Sequence, residues 1–195
     1  MSAVCQPGRI EVICGPMFSG KSEELIRRLR RATIARKRVV CFKPIIDTRY
    51  HPTAVASHSQ MTIEAIPVKN VAEIVDSPQF DAGIDVIGID EAQFFEPRIV
   101  PFVEGLVHKG KRIIIAGLDT TYTGEPFAPL PDLMAIADEV LKLAAVCMKC
   151  GAPAIHTQRL RGGTERVVVG AAGLYEARCR LCFEPELPAR LSEHP

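Results

Sequence analysis

Apolar residues along this chain come in two rhythms. Four short continuous runs, Ile10 to Cys14, Val39 to Phe42, Val86 to Ile89 and Ile113 to Ala116, are rich in β-branched residues and too short for helices. They read as buried strands, and Val140 to Val146 is a further candidate. Between them lie longer stretches with helical spacing. Leu25, Ile26, Leu29 and Ala32 recur on one face after Ser22, while Arg27, Arg28, Arg30 and Arg31 fall on a face that reads as solvated. Asn70 stands where it caps a short helix through Val75. From about Pro97, tolerated in a first turn, Ile99, Phe102, Val103, Leu106 and Val107 lead to Gly110 as a left-handed stop. Asp132 to Glu139 also reads as helix. This alternation from residue 9 to about 143 predicts an α/β fold, a parallel sheet covered by helices.

Two stretches break the pattern. Between Pro44 and Thr62 periodicity is lost and Asp47, Thr48, Arg49, Tyr50, His51 and His58 gather with two prolines. This predicts a long loop following the second strand, on the edge where α/β proteins bind ligands. Asp119 to Pro131, rich in Thr, Gly and Pro, is a second loop. After residue 143 the character changes. Strand-like runs Ala154 to Leu160 and Arg166 to Val169, joined by the hairpin signal Gly162-Gly163, lie between two C-x-x-C pairs, and the tail from Glu184 has no periodic pattern. The division expected is an α/β domain over 1–143 and a small second domain over 144–195.

With 195 residues and 47% hydrophobic content, the chain can bury one sizeable core. Lys plus Arg number 24 against 23 Asp plus Glu, so no large net field recruits nucleic acid or an anionic membrane, and neither partner is expected. No basic segment leads into an apolar targeting run, and nowhere do about 18 uncharged apolar residues follow one another, which points to the cytoplasm. In that reducing setting the two C-x-x-C pairs point to metal rather than to disulfides. Of the seven cysteines, Cys5, Cys14 and Cys41 are left over and read as small buried thiols.

Three groups of residues carry chemistry. Gly15-Pro16-Met17-Phe18-Ser19-Gly20-Lys21-Ser22 fits G-x-x-x-x-G-K-S/T at every required position, between a strand and a helix. In such a loop glycines let successive N–H groups turn toward a phosphate, Lys21 adds a point charge, and Ser22 offers a hydroxyl to a phosphate-bound Mg²⁺. Downstream, Val86-Ile87-Gly88-Ile89 ends in Asp90 and Glu91. One carboxylate there suits the nucleotide's Mg²⁺, and its neighbour, on the opposite side of the strand, is free for base chemistry. Finally, Cys147, Cys150, Cys179 and Cys182 supply four thiolates, enough for a closed structural Zn²⁺ site. An iron–sulfur cluster is the alternative, and a redox dithiol fits poorly without a thioredoxin-like context.

Taken in order, G-P-M-F-S-G-K-S at 15 to 22, D-T-R-Y at 47 to 50, G-I-D-E-A-Q-F-F at 88 to 95 and the paired C-x-x-C motifs resemble the cytosolic-type (type II) thymidine kinases over roughly residues 9 to 183. The resemblance implies a P-loop (RecA-like) parallel sheet with helices on both faces, plus a small zinc-anchored, β-rich lasso domain. It implies transfer of the γ-phosphate of ATP to the 5′-hydroxyl of thymidine or deoxyuridine, in nucleotide salvage for DNA synthesis. Glu91 would be the general base. Asp47, Arg49 and the segment from Asp90 to Gln93 would belong to the nucleotide side, with residues 15 to 22. Tyr122 would stack on the base. A lasso over Arg166, Val167, Val168, Val169 and Gly170 would grip thymine by its main chain, with Tyr175 closing the sugar side. Ala171 stands where many relatives have a glycine. The family further implies dTTP as feedback inhibitor and a homotetramer. A reading from another class is a P-loop ATPase whose zinc module, with Arg159, Arg161, Arg166, Arg178 and Arg180, binds nucleic acid or a protein. Turnover that requires thymidine separates the first reading from the second, which calls for stimulation by DNA or RNA.

Overall fold

The computed structural model describes residues 8–45, 54–56, 62–81, 83–160 and 173–185. Six strands form one parallel sheet: β1 (Arg9–Cys14), β2 (Val39–Pro44), β5 (Ile66–Val68), β6 (Val86–Ile89), β7 (Arg112–Gly117) and β8 (Glu139–Lys142). Their spatial order is β5-β2-β6-β7-β1-β8. Parallel pairs need crossovers, and helices α1 (Lys21–Ile34), α2 (Val71–Val75), α3 (Ile99–His108) and α4 (Leu130–Ala135) are part of those connections. A short antiparallel pair, β3 (Ala54–Ala56) with β4 (Thr62–Glu64), lies between β2 and β5 in the chain.

The two faces of the sheet are buried by different helices. Because strand side chains alternate, Ile13, Cys41, Val86, Ile114 and Ala116 point to one side, where Leu25, Ile26, Leu29 and Ala32 of α1 cover them. Val12, Phe42, Ile87, Ile89, Ile113 and Ile115 point to the other, against Val71 and Ile74 of α2, Ile99, Val103 and Leu106 of α3, and Leu130 and Leu133 of α4. This is why the four strand runs are apolar at nearly every position. Two positions depart from this: Glu11, a buried carboxylate in β1, and Gly88, where a Cβ would lie 2.7 Å from a Leu29 methyl. The left-handed stop after α3 is Gly110, at φ 76. Asn70 caps α2 by accepting from the Glu73 N–H at 3.0 Å.

Three expectations need correction. Asp132 to Glu139 is not all helix, because α4 starts earlier, at Leu130 with Pro131 in its first turn, and ends at Ala135, leaving Glu139 to open β8. Val140 to Val146 is not one strand: β8 stops at Lys142, and β9 (Ala145–Val146) pairs elsewhere, with β10 (Pro153–Ala154). The stretch from Pro44 to Thr62 is not all loop, since Ala54–Ala56 pairs with Thr62–Glu64. The strand β5 gave no periodic signal because it is three residues long. Its Pro67 is tolerated on the sheet edge, where one side needs no donor.

The last segments form two small antiparallel pairs, β9 with β10, and β11 (His156–Arg159) with β12 (Tyr175–Arg178). Among the described residues their shared core is Ala145, Cys147, Ala154, Ala177 and Cys179, with Ala152 and Cys182 packed against it, little apolar mass for independent stability. Arg166 to Val169 and the Gly162-Gly163 turn lie outside the described residues, and β12 is the partner of β11 among those described. No helix of the described residues is long and apolar enough to cross a membrane.

At the end of the sheet where β1 and β7 begin, the arginine face of α1 is only partly solvated. Glu11, 1% exposed, accepts from Arg28 at 2.5 Å and from Arg112 at 2.6 Å, and pairs with Arg9 at 3.0 Å. Arg28 also binds Glu24 at 2.7 Å and Glu139 at 2.8 Å. Burial pushes the Glu11 carboxyl up, but the hydrogen bonds from Arg112 and Arg28 outweigh it and hold it below the usual range. Arg27 and Arg28 together hold Glu24 down to about 2, against the partial burial that raises it. Both carboxylates titrate lower in the folded state, so their stabilisation is complete above the ordinary value of 4.5 and is lost as pH falls toward 2. Glu11→Gln leaves buried guanidinium charge under-compensated and should cost about 3 kcal/mol in urea unfolding at pH 7. The loss of stability between pH 4.5 and 2 should also be shallower in this variant than in the parent. An unchanged urea midpoint at pH 7 would contradict this role for the cluster.

Candidate functional site

The turn after β1 is shaped by close backbone approach. Gly15 sits at φ 139, and a Cβ there would lie 2.3 Å from the Leu143 carbonyl oxygen, so no larger residue fits between β1 and the end of β8. The turn closes on itself, with Ser19 Oγ and Lys21 Nζ both donating to the Pro16 carbonyl, at 2.8 and 2.6 Å. Gly20, at φ 84, hands the chain into α1, whose first N–H groups lie inside this turn. Phe18 also has positive φ, 65°, at the tip. The result is a glycine-framed loop at a helix N-terminus with a lysine at its base, a geometry suited to a polyphosphate. The Cys14 thiol below the loop is pushed up to about 11, by burial first and then by the charge of Asp119, so it stays protonated as a packing group.

Strand β6 delivers the second half of the site. Asp90 follows its last residue, held by its N–H to the Phe42 carbonyl at 2.9 Å, and its Oδ2 accepts from Ser22 Oγ at 3.3 Å. Two hard oxygen donors from separate elements meet there, a donor set that suits a hard divalent cation such as Mg²⁺. Glu91 is a non-glycine residue in the left-handed region, φ 49 and ψ 44, a conformation costing about 1 to 2 kcal/mol. Gln93, almost fully buried on the following turn, donates to Glu91 Oε2 and accepts from the Leu118 N–H at 2.9 Å. Gly117 makes room for that amide, because a Cβ would come within 2.8 Å of Gln93 Oε1. Gln93 therefore orients Glu91.

The loop after β7 folds back through the Thr120–Pro126 bridge and a bond from Thr121 N–H to the Glu125 carbonyl at 2.8 Å. It presents Tyr122 toward the small module. Arg159 of β11 lays its guanidinium over the Tyr122 ring, 3.5 Å from the centroid, and donates to the Tyr175 hydroxyl at 3.0 Å. Two more contacts join the modules. Met17 N–H in the phosphate loop donates to Thr157 Oγ1 at 3.0 Å, and the ring of Phe183 lies under Gly124. Phe183 also stacks on His156 at 4.3 Å, whose pKa is lowered by burial and then by the charges of Arg180 and Lys142.

The four cysteine sulfurs of 147, 150, 179 and 182 lie within 4.8 Å of one another, with Cys150 and Cys179 3.6 Å apart. A tetrahedral zinc site with about 2.3 Å bonds spaces its sulfurs about 3.8 Å apart, so the cluster is compatible with Zn²⁺. Burial pushes the Cys147 thiol up, but N–H groups of Cys179, Lys149 and Cys150 pull it down to about 6; Cys179 is lowered as well, whereas neighbouring sulfurs raise Cys150 and Cys182.

Of the residues singled out in the sequence, 15 to 22, Asp90, Glu91 and Gln93 come together on one edge of the sheet, Tyr122 and Tyr175 meet through Arg159, and the four cysteines cluster. Asp47, Arg49, Arg166, Val167, Val168, Val169 and Gly170 lie outside the described residues. Thr157 was not singled out, and Arg159 was counted only in a basic patch. Burial alternates along β11, with 157 and 159 the buried positions, but His156, Thr157, Gln158 and Arg159 are all polar, so no apolar pattern marked them in the sequence.

The family model described as thymidine kinase matches residues 8–183. A thymidine kinase of Rhodothermus sp. (strain ITI 518) is 53% identical over 185 residues, covering 95% of this chain and 85% of that protein. A thymidine kinase of Bdellovibrio bacteriovorus is 52% identical over 182 residues, covering 93% and 88%, and one of Deinococcus deserti is 53% identical over 188 residues, covering 89% and 93%.

The cysteine cluster leads to a metal test that does not depend on catalysis. Purified protein should carry about one zinc per chain by elemental analysis, and Cys182→Ser should lose it, with faster amide exchange across β9 to β12 and little change in the sheet. Protein purified without added chelator that holds no metal would contradict the assignment.

Proposed function

The chain belongs to the thymidine kinase family, and from that premise we propose that it transfers the γ-phosphate of ATP to the 5′-hydroxyl of thymidine, and of deoxyuridine, giving the monophosphate. The observation that carries this reading is the meeting of the phosphate loop with the β6 carboxylates, Ser22 Oγ to Asp90 Oδ2, beside an oriented Glu91.

Phosphoryl transfer asks a protein mainly for positioning and charge neutralisation. In this proposal residues 15 to 22 cradle the ATP phosphates, with Lys21 neutralising charge that develops toward the leaving group. Ser22 and Asp90 would hold Mg²⁺, which when bound would supply further neutralisation of phosphate charge. Glu91, fixed by Gln93, takes the proton from the attacking hydroxyl. Tyr122 stacks on the base, residues 166 to 170 cover thymine with main-chain groups, and Tyr175 closes the sugar side. Asp47 and Arg49 serve the nucleotide side. We further propose that residues 144–195 form a separate zinc-bound lasso domain after the kinase domain of 1–143, that dTTP is a feedback inhibitor, and that the enzyme is a cytoplasmic homotetramer. These rest on family membership. The reading as an ATPase with a nucleic-acid-binding module is not favoured, since the relatives that match across nearly the whole chain are thymidine kinases.

A panel of nucleosides with ATP and Mg²⁺, scored for monophosphate, tests the proposal: thymidine and deoxyuridine should react, purine nucleosides should not, and turnover without nucleoside but stimulated by DNA would overturn it. Within that assay Lys21→Ala should lower kcat by at least about 10²-fold with the fold retained. Glu91→Gln keeps shape and reach but cannot accept the proton, so kcat should fall by about 10² to 10⁴-fold while equilibrium thymidine binding changes little. Retention of more than about a tenth of kcat would remove Glu91 from the base role.

A further inference from the structure

Arg159 is 7% exposed, and it is the only residue described that touches both Tyr122 and Tyr175 through its guanidinium. Part of its environment is aromatic. One face of the guanidinium lies on the Tyr122 ring at 3.5 Å, the Tyr175 ring centroid is 5.5 Å away, and the Tyr175 hydroxyl accepts from Nη2 at 3.0 Å. Aromatic faces and a phenol oxygen are what a desolvated guanidinium needs, and a planar, delocalised group meets both at once where an ammonium cannot. The register adds precision, since Arg159 and Tyr175 face each other across the β11–β12 pair. Tyr122 comes from the other side, on the loop after β7.

We propose that Arg159 is a positioning residue for the nucleoside site: it clasps Tyr122 of the sheet domain to Tyr175 of the zinc module and so fixes the aromatic surface that receives the base. The clasp rests on the reading of thymidine as acceptor. A ring has two faces, and a cation seated on one sets the orientation of the other. By the same contact, order in the zinc module is transmitted to Tyr122. The phosphate loop is joined to that module independently, through Met17 and Thr157, so loss of the clasp leaves the ATP side in place.

The test is steady-state kinetics of Arg159→Met, which keeps length and apolar stem, and of Arg159→Lys, which keeps charge without the planar face. For Arg159→Met the thymidine KM should rise about tenfold or more, with kcat within about threefold and the ATP KM within about twofold of the parent, at full zinc content. Arg159→Lys should fall between. A thymidine KM within twofold in both variants overturns the clasp, as does an ATP KM rising in step with that of thymidine, which marks general loosening. If Arg159→Met does not fold, Arg159→Lys decides by the same criteria. A parent enzyme inactive on thymidine sinks the acceptor reading rather than the clasp, and then near-ultraviolet circular dichroism decides. The chain has no Trp and three Tyr, so the aromatic signal reports chiefly on Tyr. It should collapse toward the unfolded value in Arg159→Met, and an unchanged spectrum rejects the clasp.

Discussion

Ser22 Oγ and Asp90 Oδ2 meet at 3.3 Å because β1 and β6 run the same way with only β7 between them. That parallel order is the constraint on which the site depends. It places the turn after β1 and the acids after β6 on one edge, and it is maintained by apolar side chains buried on both faces of the sheet. The small residues follow from the same closeness. Gly15 clears the Leu143 carbonyl, and Gly117 clears the Gln93 amide that orients Glu91. A helix N-terminus, a lysine and the Asp90 carboxylate are thus brought to one edge of the sheet.

The small module depends on a different interaction. Its packed core is alanines and cysteines, little apolar mass, and its four clustered sulfurs form a donor set compatible with Zn²⁺. Its contribution to the site is made through three separate contacts: Met17 with Thr157, Gly124 with Phe183, and Arg159 with both tyrosines. The cysteine-bearing segment and the loops after β1 and β7 are thereby joined by packing.

What the sequence made legible was whatever rests on local spacing. The phosphate loop, the strand ending in Asp90 and Glu91, the C-x-x-C pairs and the Asn70 cap each have a local cause, and each is found in place. The misreadings come where tertiary context overrides local pattern. Glu139 continues a helical pattern but opens β8, because an edge position beside β1 was open to it. The strand β5 is too short to show alternation, and its place at the sheet edge is set by pairing with β2 rather than by any local pattern. Arg159 illustrates the same limit for the site. A charged residue in a strand reads as exposed, and only the pairing with β12 and the return of the β7 loop reveal that its charge is buried between two rings.

In the proposed function Ser22 and Asp90 together form one cation-dependent phosphate site with residues 15 to 22. Calorimetric titration of ATP, with and without Mg²⁺, measures this without requiring turnover. In the parent protein Mg²⁺ should tighten ATP binding by about tenfold or more, and in Asp90→Asn that gain should largely disappear while metal-free ATP binding is retained. An Asp90→Asn variant with the full Mg²⁺ dependence of the parent would contradict the account.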